Sequence, residues 1–442
     1  MSLILPSFEL IPGKFNVGSL FAQIPMDGSA DLTVTRGSNA TRFNASGNVQ
    51  VMGSGIPRLD YYTSGGTAGC PALLVEPAAT NQCQRSEEFN NAFWIRLGIN
   101  AFGSGSVANT TATLDPYGTN VADYIQEDST PSTTHTVVGI FTGNVSGTTY
   151  TWSVFAKAAE RTIINLFNNG GGGGSANFNL ITGIATLTAG VSASMQNYGN
   201  GWWRCALTYT ANFGPPPTGS HNVHIRLCDA SGNTTYNGTG NQGAYIFGAQ
   251  LETGSVATSY IPTTAGTGSR SADVISVTGA VSGSIGQTEG TIYMEVAVYS
   301  ANKELFSISS GGVNGEAIRI QTNSDGKLGA IALVSNSQVI TTSSINALNF
   351  GQFYKVAFAY KLNDYTLYID GVVQTLTDVT GGVPVNMNKL AFARPNDSFI
   401  QDQRVRALAL YTTRLTNAQL EFLTSPYTSY SQMATTLSYT IL

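Results

Sequence analysis

Acidic side chains are the first place to look for chemistry in this chain, and they are few: 26 Asp and Glu among 442 residues. Asp123, Glu127 and Asp128 form the densest cluster. Glycoside hydrolysis uses two carboxyl groups about 5 to 9.5 Å apart, one held neutral and one ionised. Nothing in the residues flanking this cluster points to that split, so no enzyme is expected. His221 and His224 lie on one strand-like run, where a spacing of three sends them to opposite faces. Neither Cys228 nor Asp229 completes a metal site with them. The run Gly170 to Gly174 lacks the Lys-Ser/Thr and the helix start that a phosphate cradle needs, and it reads as a hairpin tip. Gly201-Trp202-Trp203-Arg204 is different. Sugars stack their C–H faces on aromatic rings, and alternation along a strand sends Trp202 and Trp203 to opposite faces. One of the two is expected in the core, and the other is the candidate carbohydrate-binding platform.

The rest of the composition narrows the partners. Hydrophobic residues make up 42% and charged residues 11%, with 49 Gly and 15 Pro. Large cores and many turns are therefore expected, and long helices are not. A net charge of −5 gives no basic footprint, which argues against nucleic acid and anionic membrane as partners. No apolar run approaches the roughly 18 residues of a membrane span. The opening residues Met1 to Phe15 carry no basic segment ahead of their apolar ones, so neither a signal peptide nor membrane insertion is expected. Cys70, Cys83, Cys205 and Cys228 are too scattered for a disulfide scaffold or a zinc site. They read as thiols of a protein made in a reducing cytoplasm, with a Cys70–Cys83 staple as the alternative.

Stretches of period-2 alternation must position these residues. Tyr150, Trp152, Val154 and Ala156 form one inward set, and Ile292, Met294, Val296 and Val298 another. Asp370-Gly371 supplies a tight hairpin turn, and Thr416 is the expected N-cap of a short terminal helix. The fold class is therefore all-β: two antiparallel β-sandwiches of jelly-roll type in tandem, preceded by an irregular N-terminal arm. The expected boundaries are 1–85 for the arm and its irregular module, 86–270 and 271–425 for the sandwiches, and 426–442 for a tail. In the arm, Leu3-Ile4-Leu5, Phe8, Leu10-Ile11 and Phe15 lie among Pro6, Pro12 and Gly13, which exclude a regular helix. Such a segment packs on its own sandwich or on a neighbouring chain, and the second option makes residues 1–25 an attachment arm. The arm and the apolar-ended tail together point to a homo-oligomer, with a trimer expected.

Pro57-Arg58-Leu59-Asp60-Tyr61, Leu73-Leu74-Val75-Glu76-Pro77 and Arg85-Ser86-Glu87-Glu88-Phe89 resemble a module common in bacteriophage and prophage tail-fibre and other virion appendage proteins. There the module precedes a carbohydrate-binding-like jelly roll, whose Gly-Trp-aromatic-Arg strand Gly201 to Arg204 also resembles. Tyr365 to Gly371 is similar to a hairpin of the concanavalin-like, laminin-G-type lectin sandwich. These resemblances imply a virion protein of a tail or head fibre, made in the host bacterial cytoplasm. They imply other virion proteins and a host-surface glycan as its partners. Some lectins of this class bind Ca2+ through Asp and Asn on rim loops, which implies Asp364, Asn386 and Asn388, with Asp397 nearby; no other cofactor is expected. A purely structural virion decoration and a polysaccharide depolymerase are the alternatives. Arg58, Asp60 and Glu76 read as pairing with backbone or with one another.

Overall fold

The computed structural model describes residues 4–425 apart from 171–172, 214–217, 313–314 and 375–380. The expected tail, 426–442, lies outside the described residues. The fold is all-β: among the described residues, strands account for every element except one 3-10 turn and the helix Asn417–Thr424.

The first sandwich packs a six-stranded sheet against a five-stranded one. Thr149–Ala158 lies at the centre of the latter, between Trp202–Thr210 and Gly243–Thr253. Its expected inward set, Tyr150, Trp152, Val154 and Ala156, is buried against Val137, Val223 and Ile225 of the facing sheet. The glycine run connects Ile163–Asn168 to Gly174–Asn179, which pair antiparallel as a hairpin; Gly171 and Gly172 lie outside the described residues. The second sandwich packs an eight-stranded sheet against a nine-stranded one, and Ile292, Met294, Val296 and Val298 all enter its core. Asp370 and Gly371 take φ of 48° and 79°, the left-handed pair that the Asp-Gly turn supplies. Thr416 caps the helix in a reciprocal capping box with Gln419.

The chain threads the two sandwiches in a nested order. Phe8–Leu10 pairs with Gln403–Tyr411 near the other end of the chain. Leu32–Thr35 pairs with Val274–Thr278, and Ala68–Val75 pairs with Gln403–Tyr411. The second sandwich thus draws on the first 75 residues, and the first sandwich is spliced in between Val75 and Val274. The reading of residues 1–25 as an arm reaching for a neighbouring chain is corrected on this point. Phe8, Leu10 and Leu20 are fully buried in the core of their own sandwich, each contributing about 1.5–3 kcal/mol by burial. Pro6 and Pro12 stand just outside the three-residue strand, where no ladder N–H is missed.

A buried ionic cluster joins the pieces. Arg58 donates to Asp273 and pairs with Glu76 at 2.6 Å, Arg36 pairs with Asp273 at 2.8 Å, and Arg270 reaches Glu76 at 3.2 Å. The Glu76 carboxylate also accepts from the N–H and hydroxyl of Ser259. Burial works to raise the Glu76 pKa, but Arg270 and Arg58 carry it well below the usual carboxylate range. Asp60 accepts from Arg404 of the late strand at 2.5 Å. Arg58, Asp60 and Glu76 are thus consumed in holding three parts of the chain together.

All four cysteines are free, so the Cys70–Cys83 staple is not formed. Cys70 is exposed, whereas Cys83, Cys205 and Cys228 are buried, and burial pushes the Cys228 thiol up to about 12. A thiol reagent is therefore expected to titrate one cysteine in the native protein and four in denaturant. Rapid native reaction of a second thiol would contradict this burial.

Candidate functional site

The acidic cluster shows a separation of pKa values without access. Burial pushes Asp123 up to about 6, against the pull of the Asn109 and Phe89 N–H groups on its two oxygens. Burial works the same way on Glu127, but Arg161, the Thr239 N–H and the Tyr236 hydroxyl carry it down to about 2. Arg161 grips Glu127 with two bonds of 2.7 Å, and Tyr236 and Thr239 occupy the remaining lone pairs. Such a pair has the energetics of an acid and a base. Yet Asp123 and Glu127 are 1% and 0% exposed, with every carboxylate oxygen already accepting. Asp123 ties its strand to the segments of Phe89 and Asn109, and Glu127, just past the strand's end, ties Arg161 to Tyr236 and Thr239.

Among the other sequence candidates, His224, Asp364 and Asp397 have internal partners. Burial, with Arg226 adding, lowers His224 to about 4, and its Nδ1 lies 3.3 Å from the Thr136 hydroxyl. The His221 side chain lies outside the described ones. Asp364 accepts from Arg414 at 2.9 Å, and Asp397 pairs with Lys389 at 2.7 Å. Asn386 takes a left-handed turn conformation, while the Asn388 backbone bridges Gly279 and Ser309. No hydrogen bond joins Asp364 to Asn386 or Asn388. Among the described residues, no group of three or more His, Cys, Asp or Glu is placed to hold a metal. Asp364 is held by Arg414, whereas the Asn388 Oδ1 is buried with no hydrogen-bond partner among the described residues.

The two tryptophans separate as alternation requires. Trp202 is 1% exposed, packs with Val49, Phe155, Phe247 and Tyr260, and donates its Nε1 to the Leu114 carbonyl. Its candidacy as a sugar platform is corrected: Val49 of the N-terminal module, together with Phe247 and Tyr260, covers that face of the strand. Trp203, opposite Ala156 and Asn197 in the sheet, is half-buried at the edge of the first sandwich's core. Its Nε1 donates to the Leu180 carbonyl at 2.9 Å. A Cβ on Gly183 would stand 2.3 Å from the far edge of the ring, so that glycine is what lets the indole lie where it does. The ring is therefore fixed before any ligand arrives, which keeps the entropy cost of binding low.

Trp203 lines an open cleft of about 710 Å³. Its walls are turns from distant parts of the chain: Ala45–Gly47, Gly65–Ala68 and Asn197–Gly201, with Leu180 and Ile181. Gly47, Gly66, Gly199, Asn200 and Gly201 all have positive φ, so tight turns rather than side chains shape the opening. The lining carries no formal charge and offers the Ser46 and Thr67 hydroxyls and the Asn197 and Asn200 amides. Alternation required one of Trp202 and Trp203 to face outward without saying which, and the sequence offered only turn composition, Ser64-Gly65-Gly66-Thr67 and Gly199-Asn200-Gly201, as a sign of the walls.

No protein-family model matches the chain, and no curated protein matches it. Partial likenesses to solved structures exist. A CBM40 of the Ruminococcus gnavus IT-sialidase, bound to alpha2,3 sialyllactose, is 15% identical over 32% of this chain and 84% of its own, with a TM-score of 0.28. A heptameric SAP-like pentraxin from Limulus polyphemus is 17% identical over 31% of this chain and 70% of its own, with a TM-score of 0.27. Domain 4 of AbnA, a GH43 arabinanase from Geobacillus stearothermophilus in complex with arabinotriose, is 14% identical over 35% and 73%, with a TM-score of 0.30. At these values the functional reading has to come from the cleft itself.

Proposed function

We propose that this chain is a non-enzymatic glycan-binding protein of a virion appendage, with the Trp203 cleft as its binding site. One observation carries the glycan reading: an indole held rigid and half-buried in an open, uncharged cleft whose other groups are hydroxyls and amides. A ring for C–H faces beside neutral hydrogen-bonding groups suits a hydroxyl-rich ligand. The absence of chemistry in this reading is supported by Asp123 and Glu127, which lie outside the cleft with both oxygens of each occupied. Placement on a virion assembled in a bacterial cytoplasm is supported by the resemblance of Pro57 to Tyr61 and Leu73 to Asn81 to appendage proteins.

A shallow site of this kind binds at about millimolar strength, roughly 4 kcal/mol. Several copies on one oligomer raise avidity by about 10² to 10⁴, so the reading includes a homo-oligomer, a trimer, presenting repeated sites alongside other virion proteins. A purely structural role is favoured by one observation, the internal use of Arg58, Asp60 and Glu76. A glycan array of bacterial surface polysaccharides decides between them. The intact protein is expected to retain at least one glycan, and Trp203→Ala to weaken that retention about tenfold or more, a loss of 1.4 kcal/mol. If the wild-type protein retains none, the structural role replaces the binding one.

A further inference from the structure

We infer that the Trp203 cleft continues into a second groove, and that together they hold an extended glycan chain of several residues rather than one terminal sugar. This deepens the reading of the cleft given above and rests on it. The second groove, about 570 Å³, lies where the two sandwiches meet. One wall comes from Ser194–Gln196 of the first sandwich and the other from Phe350–Phe353 and Arg406 of the second. Both openings are bordered by the same two elements. The strand Val191–Asn197 gives Ser194 and Gln196 to the groove and Asn197 to the cleft. The turn following Leu59–Tyr62 gives Thr63 and Ser64 to the groove and Gly65 and Gly66 to the cleft. The Asn197 side chain projects to the opposite face of this edge strand from Ser194 and Gln196, so the path from groove to cleft passes over the end of the strand beside the Thr63–Gly66 turn.

The crest of that turn carries no side chain. Gly66 sits down on the end of the neighbouring strand, where a Cβ would come within 2.2 Å of the Asn197 Oδ1. Gly65 is exposed, and a Cβ there would meet nothing closer than 3.9 Å, so the low crest reflects a missing side chain and not a steric demand. On its far side the groove again presents aromatic rings, here beside a charged donor in place of the cleft's neutral ones. Phe350 is 48% exposed, and the Arg406 guanidinium stands 3.7 Å over the Phe353 ring, steadied by Glu295 at 3.3 Å. An exposed ring beside fixed donors is what a second sugar residue would use. Each opening falls within the roughly 300–1,000 Å³ usual for small-ligand sites. A lone terminal sugar would leave the groove unfilled, whereas a chain crossing the crest joins two weak contacts into one stronger one.

The test uses the full chain and a ladder of oligosaccharides, two to ten residues long, cut from the polysaccharide best retained on the array. Calorimetric titration is expected to show affinity rising about tenfold or more once the chain is long enough to reach both openings. Phe350→Ala and Arg406→Gln are expected to lower long-chain affinity to that of the short chain. Gly65→Gln, a change at an exposed and unstrained position, is expected to block the crossing and remove the gain with length. Affinity that stays flat with length, yet is still abolished by Trp203→Ala, overturns the extended path and leaves the cleft as a terminal-sugar site. Failure of every oligosaccharide and polysaccharide to bind the wild-type protein removes both readings.

Discussion

Asp273→Ala is expected to lose about 3–5 kcal/mol of unfolding free energy, the cost of breaking a buried charge cluster at its centre. The carboxylate accepts from Arg36 and Arg58 and also from the backbone N–H of Glu76. Without it three guanidiniums, those of Arg36, Arg58 and Arg270, would share Glu76 as the remaining carboxylate of the cluster. Arg58→Met instead leaves Arg36 with Asp273 and Arg270 with Glu76, a balanced set, and is expected to cost less despite removing the larger polar group. Urea unfolding gives both values. All four tryptophans, Trp94, Trp152, Trp202 and Trp203, lie in the first sandwich's part of the chain, so fluorescence follows that sandwich while circular dichroism follows both. In Asp273→Ala the two transitions are expected to separate. An Arg58→Met variant that proves the less stable of the two would show that charge balance does not govern the cluster.

The second large effect is acid sensitivity through Glu127. Its folded pKa of about 2 lies below the ordinary value of 4.5, so the stability it contributes is present above pH 4.5. That contribution fades as pH falls through the folded value. Glu127→Gln is expected to cost about 1.5–3 kcal/mol at pH 7, the worth of a hydrogen bond to a charged group, with the difference from wild type shrinking between pH 4.5 and 2. Asp123 acts in the opposite direction. Its raised value of about 6 means its contribution is full below pH 3.8 and is lost as pH rises through 6. Unfolding measured at pH 7, 4.5 and 3 separates the two, and an unchanged acid slope in Glu127→Gln would refute the assignment.

Long alternating strands were legible because each carries its own evidence. Tyr150 to Ala156 and Ile292 to Val298 announce a buried face without reference to any partner. The Asp370-Gly371 turn and the Thr416 cap are local chemistry and were equally readable. Phe8–Leu10 was not, since three residues between prolines have no period and their partner strand ends at Tyr411. The same non-locality hid half of the site. Alternation separates Trp202 from Trp203, but which of them is covered depends on Val49, Phe247 and Tyr260, gathered from distant parts of the chain. The cleft walls gather from turns near residues 46, 66 and 200, and no spacing rule relates those positions.

The nested threading also sets an order of assembly during synthesis. The inserted sandwich has all its strands once Gly243–Thr253 has emerged, and it can close while the ribosome is still translating. Its host cannot. Ser7 and Phe8 must wait for Leu410, with Ser7 and Leu410 separated by 403 residues, before their strand has a partner. Until then Phe8, Leu10, Leu20 and Leu32 are exposed apolar surface on a growing chain, the condition under which nascent proteins aggregate. A fragment beginning near residue 271 would lack three strands of each sheet and inherit the same exposed edges. The inserted sandwich, bounded by residues 76 and 273, completes its own sheets, but made alone it would lack Val49 over the Trp202 cluster.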